Sequence, residues 1–279
     1  MVTETMVPVD GIELCVETFG ETGDPALLLI GGAASSMDWW DDEFCRRLAA
    51  DGRLVVRYDH RDTGRSTSFP PGDPPYSDVD LAHDALGVLD ALSLHRAHLV
   101  GLSMGGGLAQ RIAIERPHRV LSLTLMSTST VPPAHDVTAP GGGEAPDWTD
   151  RRSAIDALVS GVRRLGGPFT ADEHHLRRLA ARVFDRTRDM AASQTNHFSC
   201  AGGPPTRDRL GAITAPTLVM HGTLDPFFPP EHARTLAAEI PGARLVWLDG
   251  VGHEFPPAAV WTRVIDEIID QAGRRTQPA

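Results

Sequence analysis

The sequence predicts an α/β fold: a mainly parallel, twisted sheet with helices on both faces and a helical insertion. Three observations in the 279 residues lead there. Short apolar runs such as Ala26-Leu27-Leu28-Leu29-Ile30 recur, the pattern of strands buried on both faces. Helical stretches alternate with them, which implies right-handed crossovers between parallel strands. That alternation lapses from about residue 131 to 211 and then resumes.

Residues 7–19 read as a hairpin turning at Asp10-Gly11, and the second arm alternates apolar with polar residues. Ala26–Ile30 is a buried strand ending in Gly31-Gly32-Ala33-Ala34. Trp40, Phe44 and Leu48 share one face of a helix that stops at Gly52. Leu54-Val55-Val56 then runs into Arg57-Tyr58-Asp59 as another buried strand. In the turn-rich loop that follows, Arg61 and Arg65 are expected to pair with Asp59 or Asp62 as braces. Ser77-Asp78-Val79-Asp80 reads as a capping box with Asp in place of Glu, opening a helix whose apolar side holds Leu81, Ala85, Val88, Leu89 and Leu92.

Ala97–Val100 is a further strand, 106–116 a helix closed by Pro117, and Val120–Met126 the next strand. Within 131–211, Ala139-Pro140-Gly141-Gly142-Gly143 marks a mobile loop. Two amphipathic helices follow, one burying Ile155, Leu158, Val159 and Val162, the other Leu176, Leu179, Val183 and Phe184. The sheet resumes at Thr217–His221, and a helix from Pro230 buries Leu236, Ala237 and Ile240. Arg244–Leu248 is the last strand. A final helix carries Trp261, Val264, Ile265, Ile268 and Ile269. The expected division is therefore a core over 1–130, a helical cap over 131–211 and the rest of the core over 212–279.

Composition narrows the function. With 41% hydrophobic residues the chain can bury a large core. A net charge of −11 argues against nucleic acid or an anionic membrane as partner. Every basic residue is arginine, which excludes a lysine Schiff base and a Ser–Lys dyad. Three scattered cysteines, Cys15, Cys45 and Cys200, fit neither a disulfide framework nor a zinc site, so a reducing cytoplasm is expected. The N-terminus lacks the pattern of a signal peptide, and no apolar run is long enough to span a membrane.

The chemistry centres on Gly101-Leu102-Ser103-Met104-Gly105, a G-x-S-x-G pentapeptide set between a strand and a helix. In that setting the serine stands on a strained, tight turn, with glycines where neighbouring chain must pass close by. The pentapeptide alone is weak evidence, and two partners downstream strengthen it. A serine hydroxyl needs a base to take its proton, and an imidazole needs an acid to fix its tautomer. Asp225 and His253 follow in the expected order, each just past a strand and on the same sheet edge as Ser103. Asp249 is a weaker competitor for the acid, because it lies on the same strand end as His253. Ser127–Thr130, the other place for an acid, holds no carboxylate.

Backbone N–H groups of Ala33 and Met104 are the expected oxyanion donors. Gly32, Trp148 and Phe227 are candidate substrate contacts. His174-His175 reads as a solvated helix face, since adjacent histidines on a helix diverge. No metal or cofactor is implied. An epoxide hydrolase or dehalogenase would need Asp at position 103.

On these residues the chain resembles the α/β-hydrolase superfamily everywhere outside 131–211. Gly31-Gly32, Trp40-x-Asp42-Glu43-Phe44, the string Arg57–Thr67 and Gly101–Gly105 resemble the aclacinomycin methylesterase group, which removes a methyl ester from an anthracycline polyketide. The resemblance implies Ser103 as nucleophile, Asp225 as acid and His253 as base. The expected activity is cofactor-independent serine hydrolysis of a small-molecule carboxylic ester. A lactonase, a C–C bond hydrolase or a perhydrolase could use the same three residues, and a non-catalytic small-molecule receptor shares the scaffold.

Overall fold

The computed structural model describes residues 4–130 and 146–273. Its chain runs β1 (Thr5–Val9), β2 (Ile12–Phe19), β3 (Ala26–Ile30), α1 (Asp42–Ala50), β4 (Leu54–Tyr58), α2 (Asp78–Ala91), β5 (Ala97–Leu102), α3 (Met104–Glu115) and β6 (Val120–Met126). Then come α4 (Arg151–Leu165), α5 (Glu173–Arg186), α6 (Met190–Ser199), β7 (Thr217–Gly222), α7 (Pro230–Glu239), β8 (Arg244–Leu248) and α8 (Trp261–Ala272). The Gly-rich loop expected near 139–143 falls outside the described residues.

The strands form one eight-stranded sheet in the order β1-β2-β4-β3-β5-β6-β7-β8. β1 and β2 pair antiparallel, as does β2 with β4, and every other pair is parallel. Strand side chains alternate between two cores. Leu28 and Ile30 pack with α2, α3 and α7 through Leu81, Ile112 and Leu236. Leu27 and Leu29 pack on the other face with Phe44 of α1 and Val264 of α8. The chain goes one way from β3 to β4 and the other way to β5. The β3/β5 boundary is thus the switch point, where open α/β sheets form their ligand crevice.

Local signals behave as their chemistry requires. Ser77 and Asp80 form the capping box of α2, with Ser77 N–H donating to Asp80 at 2.7 Å. α1 starts at Asp42, later than the apolar spacing suggests, because the Asp41 carboxylate caps it by accepting from Glu43 N–H at 2.7 Å. Trp40 therefore lies just ahead of the helix. It is still buried, stacked on Phe44 and edge-on to Phe255.

Between β6 and β7 lie three described α-helices where the periodicity predicts two. α4 and α5 bury Ile155, Leu158, Val159, Leu176 and Val183 in a cluster of their own. The third, α6, buries Met190, Ala192, Ser193, Asn196 and His197, a set too polar to read as an apolar stripe.

Buried arginines tie these layers together. The Arg61 and Arg65 braces use other partners than expected. Arg61 reaches Asp84 of α2, with Nε donating at 2.6 Å, and Arg65 pairs with Glu4 at 2.9 Å. Asp59 is instead taken by Arg186 of α5 at 2.9 Å, a residue that also bonds Asp38 and Glu4. Asp38 and Asp59 are wholly buried, and burial pushes the Asp59 carboxyl up to about 6 even with Arg186 opposing. Arg186→Met should therefore lower the unfolding free energy by about 3 kcal/mol, since it leaves the buried Asp59 carboxylate without its cation and takes from Asp38 one of its two arginines, the other being Arg182 at 2.7 Å. Urea titration of both proteins measures the difference.

Candidate active site

Ser103 stands between β5 and α3 with φ 54° and ψ −118°, the strained backbone a nucleophile elbow requires. Its two glycines are there for space. A Cβ on Gly101 would lie 2.3 Å from the Gly105 carbonyl oxygen, and one on Gly105 2.3 Å from that of Ile30. Backbone atoms cannot step aside, so only glycine fits either position. Ser103 N–H donates to Met126 O at 2.9 Å, and the Thr128 hydroxyl donates to Ser103 O at 2.7 Å. The serine is thus held by its main chain, and its hydroxyl takes no part in holding the turn.

His253 follows β8 and Asp225 follows β7, so both reach the site from the same sheet edge as Ser103. His253 Nε2 lies 3.0 Å from Ser103 Oγ, and Nδ1 lies 2.9 Å from Asp225 Oδ2. A carboxylate oxygen only accepts, so Nδ1 carries the proton and the Nε2 lone pair faces the serine hydroxyl. The other Asp225 oxygen accepts from Phe227 N–H at 2.8 Å and Phe228 N–H at 3.0 Å. Burial pushes the Asp225 carboxyl up. The hydrogen bond and charge of His253 and the Phe228 amide outweigh it, holding the group below its ordinary value. Asp225 thus fills the position beside Nδ1 for which Asp249 was the competitor.

The expected oxyanion donors flank this arrangement. Met104 opens α3, where the first N–H groups have no acceptor within the helix. The loop leaving β3 runs beside the serine: a Cβ on Gly32 would lie 3.5 Å from Ser103 Cβ, and Ala33 is the next residue. Phe227 stacks on the His253 ring with centroids 4.7 Å apart. Trp148, like Trp39, packs against the apolar cluster of α4 and α5.

A profile for the alpha/beta hydrolase fold matches residues 25–256. The chain belongs to the α/β-hydrolase family. Two rhodomycin D methylesterases are among the relatives of this α/β-hydrolase: DauP of Streptomyces sp. (strain C5), 38% identical, and DnrP of Streptomyces peucetius, 37% identical. Each alignment covers 91% of this chain and 93% of the relative. Among solved structures, the enol-lactonase from Burkholderia xenovorans LB400 superposes with a TM-score of 0.76 at 27% identity, over 96% of this chain and 99% of that one.

Several residues around the site of this hydrolase carry no signal in the sequence. His253 N–H donates to Leu165 O at the end of α4, at 2.7 Å. The neighbouring Glu254 accepts from Gly167 N–H at 3.0 Å and the Thr170 hydroxyl at 2.8 Å, both in the α4–α5 loop. On the opposite flank, Gln194 and His197 of α6 bond to Ala34, just past β3. Such contacts join segments far apart in the chain, and no local pattern announces them. Phe228 stands edge-on to His253 at 5.6 Å.

Proposed function

We propose that this serine ester hydrolase cleaves a methyl ester of a polyketide-like small molecule through an acyl-enzyme. The observation that carries the hydrolytic reading is the unbroken chain from Ser103 Oγ through His253 to Asp225, at 3.0 and 2.9 Å. Ser103 Oγ attacks the ester carbonyl as His253 Nε2 takes its proton, while Asp225 stabilises the imidazolium. The tetrahedral oxyanion is held by the N–H groups of Ala33 and Met104, the latter aided by the dipole of α3. As the intermediate collapses, the C–O bond to the alcohol breaks, and His253 returns the proton to the departing alkoxide. Water then attacks the acyl-serine, giving its proton to the same nitrogen, and the acid leaves as Ser103 is reprotonated.

The substrate class rests on the two methylesterase relatives and on the fit of a small leaving group, methanol, to this cycle. Residues 131–211 are proposed as the cap that selects the acid portion. Gly32 and Phe227 are proposed substrate contacts from their closeness to Ser103 and His253, and Trp148 as an aromatic of the cap cluster. The test is turnover of a panel of methyl esters of polycyclic aromatic acids, simple aryl esters and lactones, with methanol release followed directly. Methanol formed from the aromatic methyl esters with the highest kcat/KM supports the reading. Turnover confined to lactones overturns it.

A further inference from the structure

We propose that His197 of α6, assisted by Gln194, is a positioning residue that holds the loop after β3 in the shape that aims its N–H group at the oxyanion. The proposal rests on the ester-hydrolysis reading above and adds a role for a helix of the insertion in the chemical step.

The loop departs from β3 at Ile30, and its donor, Ala33, lies between two clamps. On the near side, His60 Nε2 lies 3.2 Å from Gly31 O. On the far side, Ala34 N–H donates to His197 Nδ1 at 3.0 Å, and Gln194 Nε2 donates to Ala34 O at 3.2 Å. One alanine thus has both its backbone groups bonded to side chains three residues apart on α6, which lie on one helix face. Ala34 has φ 59°, the left-handed region that a residue with a Cβ enters only where neighbours hold it.

The tautomer of His197 is fixed by its other nitrogen. Nε2 lies 2.9 Å from Arg61 O, and a carbonyl can only accept, so Nε2 carries the proton and Nδ1 offers a lone pair to Ala34. Burial favours the neutral ring, lowering its proton affinity. Protonation at Nδ1 would set two N–H groups against each other. The ring is further confined edge-on by His60 at 5.6 Å and Tyr76 at 6.4 Å. His197 can therefore neither rotate nor exchange nitrogens without breaking one of its two bonds. Its side chain is too remote in sequence to be part of the motif at 31–34, yet it decides how that motif is presented.

The experiment compares His197→Gln with His197→Asn in the full chain, on an aryl ester that the wild type turns over, with Ser103→Ala as the control. The Asn carboxamide oxygen falls near the place of Nδ1 and can still accept from Ala34. The longer Gln reaches toward Arg61 O and leaves Ala34 N–H without its acceptor. For His197→Gln, kcat should fall about 10- to 100-fold with KM within about twofold, the size expected when an oxyanion donor is displaced. The inhibition constant of a trifluoromethyl ketone, whose adduct with Ser103 bears an oxyanion, should rise by the same factor. His197→Asn should stay within about threefold of wild type in both readouts.

Equal behaviour of the two variants, or a fall in kcat with the trifluoromethyl ketone binding unchanged, overturns the positioning role. If His197→Gln does not fold, Gln194→Ala carries the test: kcat and inhibitor affinity should drop together by about threefold, and a drop in kcat alone overturns the role. Equal rates for wild type and Ser103→Ala would instead overturn the hydrolytic reading itself, so the two failures are distinguishable.

Discussion

Ser103→Ala is expected to lower kcat for ester hydrolysis on the order of 10⁵-fold, with KM and folding little changed. Alanine keeps the Cβ, so the backbone at φ 54° is no more and no less strained than with serine. The bonds that hold the elbow belong to the main chain, from Ser103 N–H to Met126 O and from Thr128 to Ser103 O. The substitution therefore removes the attacking oxygen and little else. A small residual rate should survive from the oxyanion donors and substrate binding, which the variant retains. Steady-state rates, with fluorophosphonate labelling read by intact mass, make the comparison. Equal labelling of both proteins would remove Ser103 from the reaction.

Asp225→Asn should be nearly as damaging, about 10⁴-fold in kcat, although the two side chains have almost the same shape. The cause lies in which oxygen is already engaged. Oδ1 accepts from the Phe227 and Phe228 N–H groups, so the introduced amide must put its carbonyl oxygen there. Its NH₂ group then faces His253 Nδ1 and donates to it. The imidazole proton moves to Nε2, where it points at Ser103 Oγ, and the base can no longer accept. Proton NMR of the ring nitrogens should show that change of tautomer alongside the lost rate. The acid side of stability should change too. The folded Asp225 carboxyl sits below its unfolded value of about 3.9. Its stabilising contribution is present above that pH and lost as pH falls through the lower folded value, a loss the Asn protein should lack.

The chain declares its strands, its elbow and the three side chains proposed to react plainly, because each depends on short-range chemistry. Val120–Met126 is an apolar run that can only be buried, and Ser77 and Asp80 make their two bonds within one turn. Asp225 and His253 were legible because strand ends place loops on one edge. What stayed hidden depends on partners distant in sequence. Helix α6 buries Asn196 and His197, whose value lies in bonds to loops more than 120 residues upstream, such as Asn196 to Gly72 and Asp62 and His197 to Ala34. No local pattern marks Arg186, and only the fold brings Asp38, Asp59 and Glu4 around it.

The contacts on either flank of Ser103 bear on how this enzyme could be re-engineered. Leu165, Gly167 and Thr170 grip the histidine loop, while Gln194 and His197 grip the loop after β3. The segment between β6 and β7 is therefore not an interchangeable module: grafting in the equivalent segment of a relative would discard these supports. A chimera that keeps 165–170 and 194–197 while exchanging the helix faces between them would retain the supports, so the proposed part of this segment in substrate selection can be probed while the geometry around Ser103 and His253 is left in place.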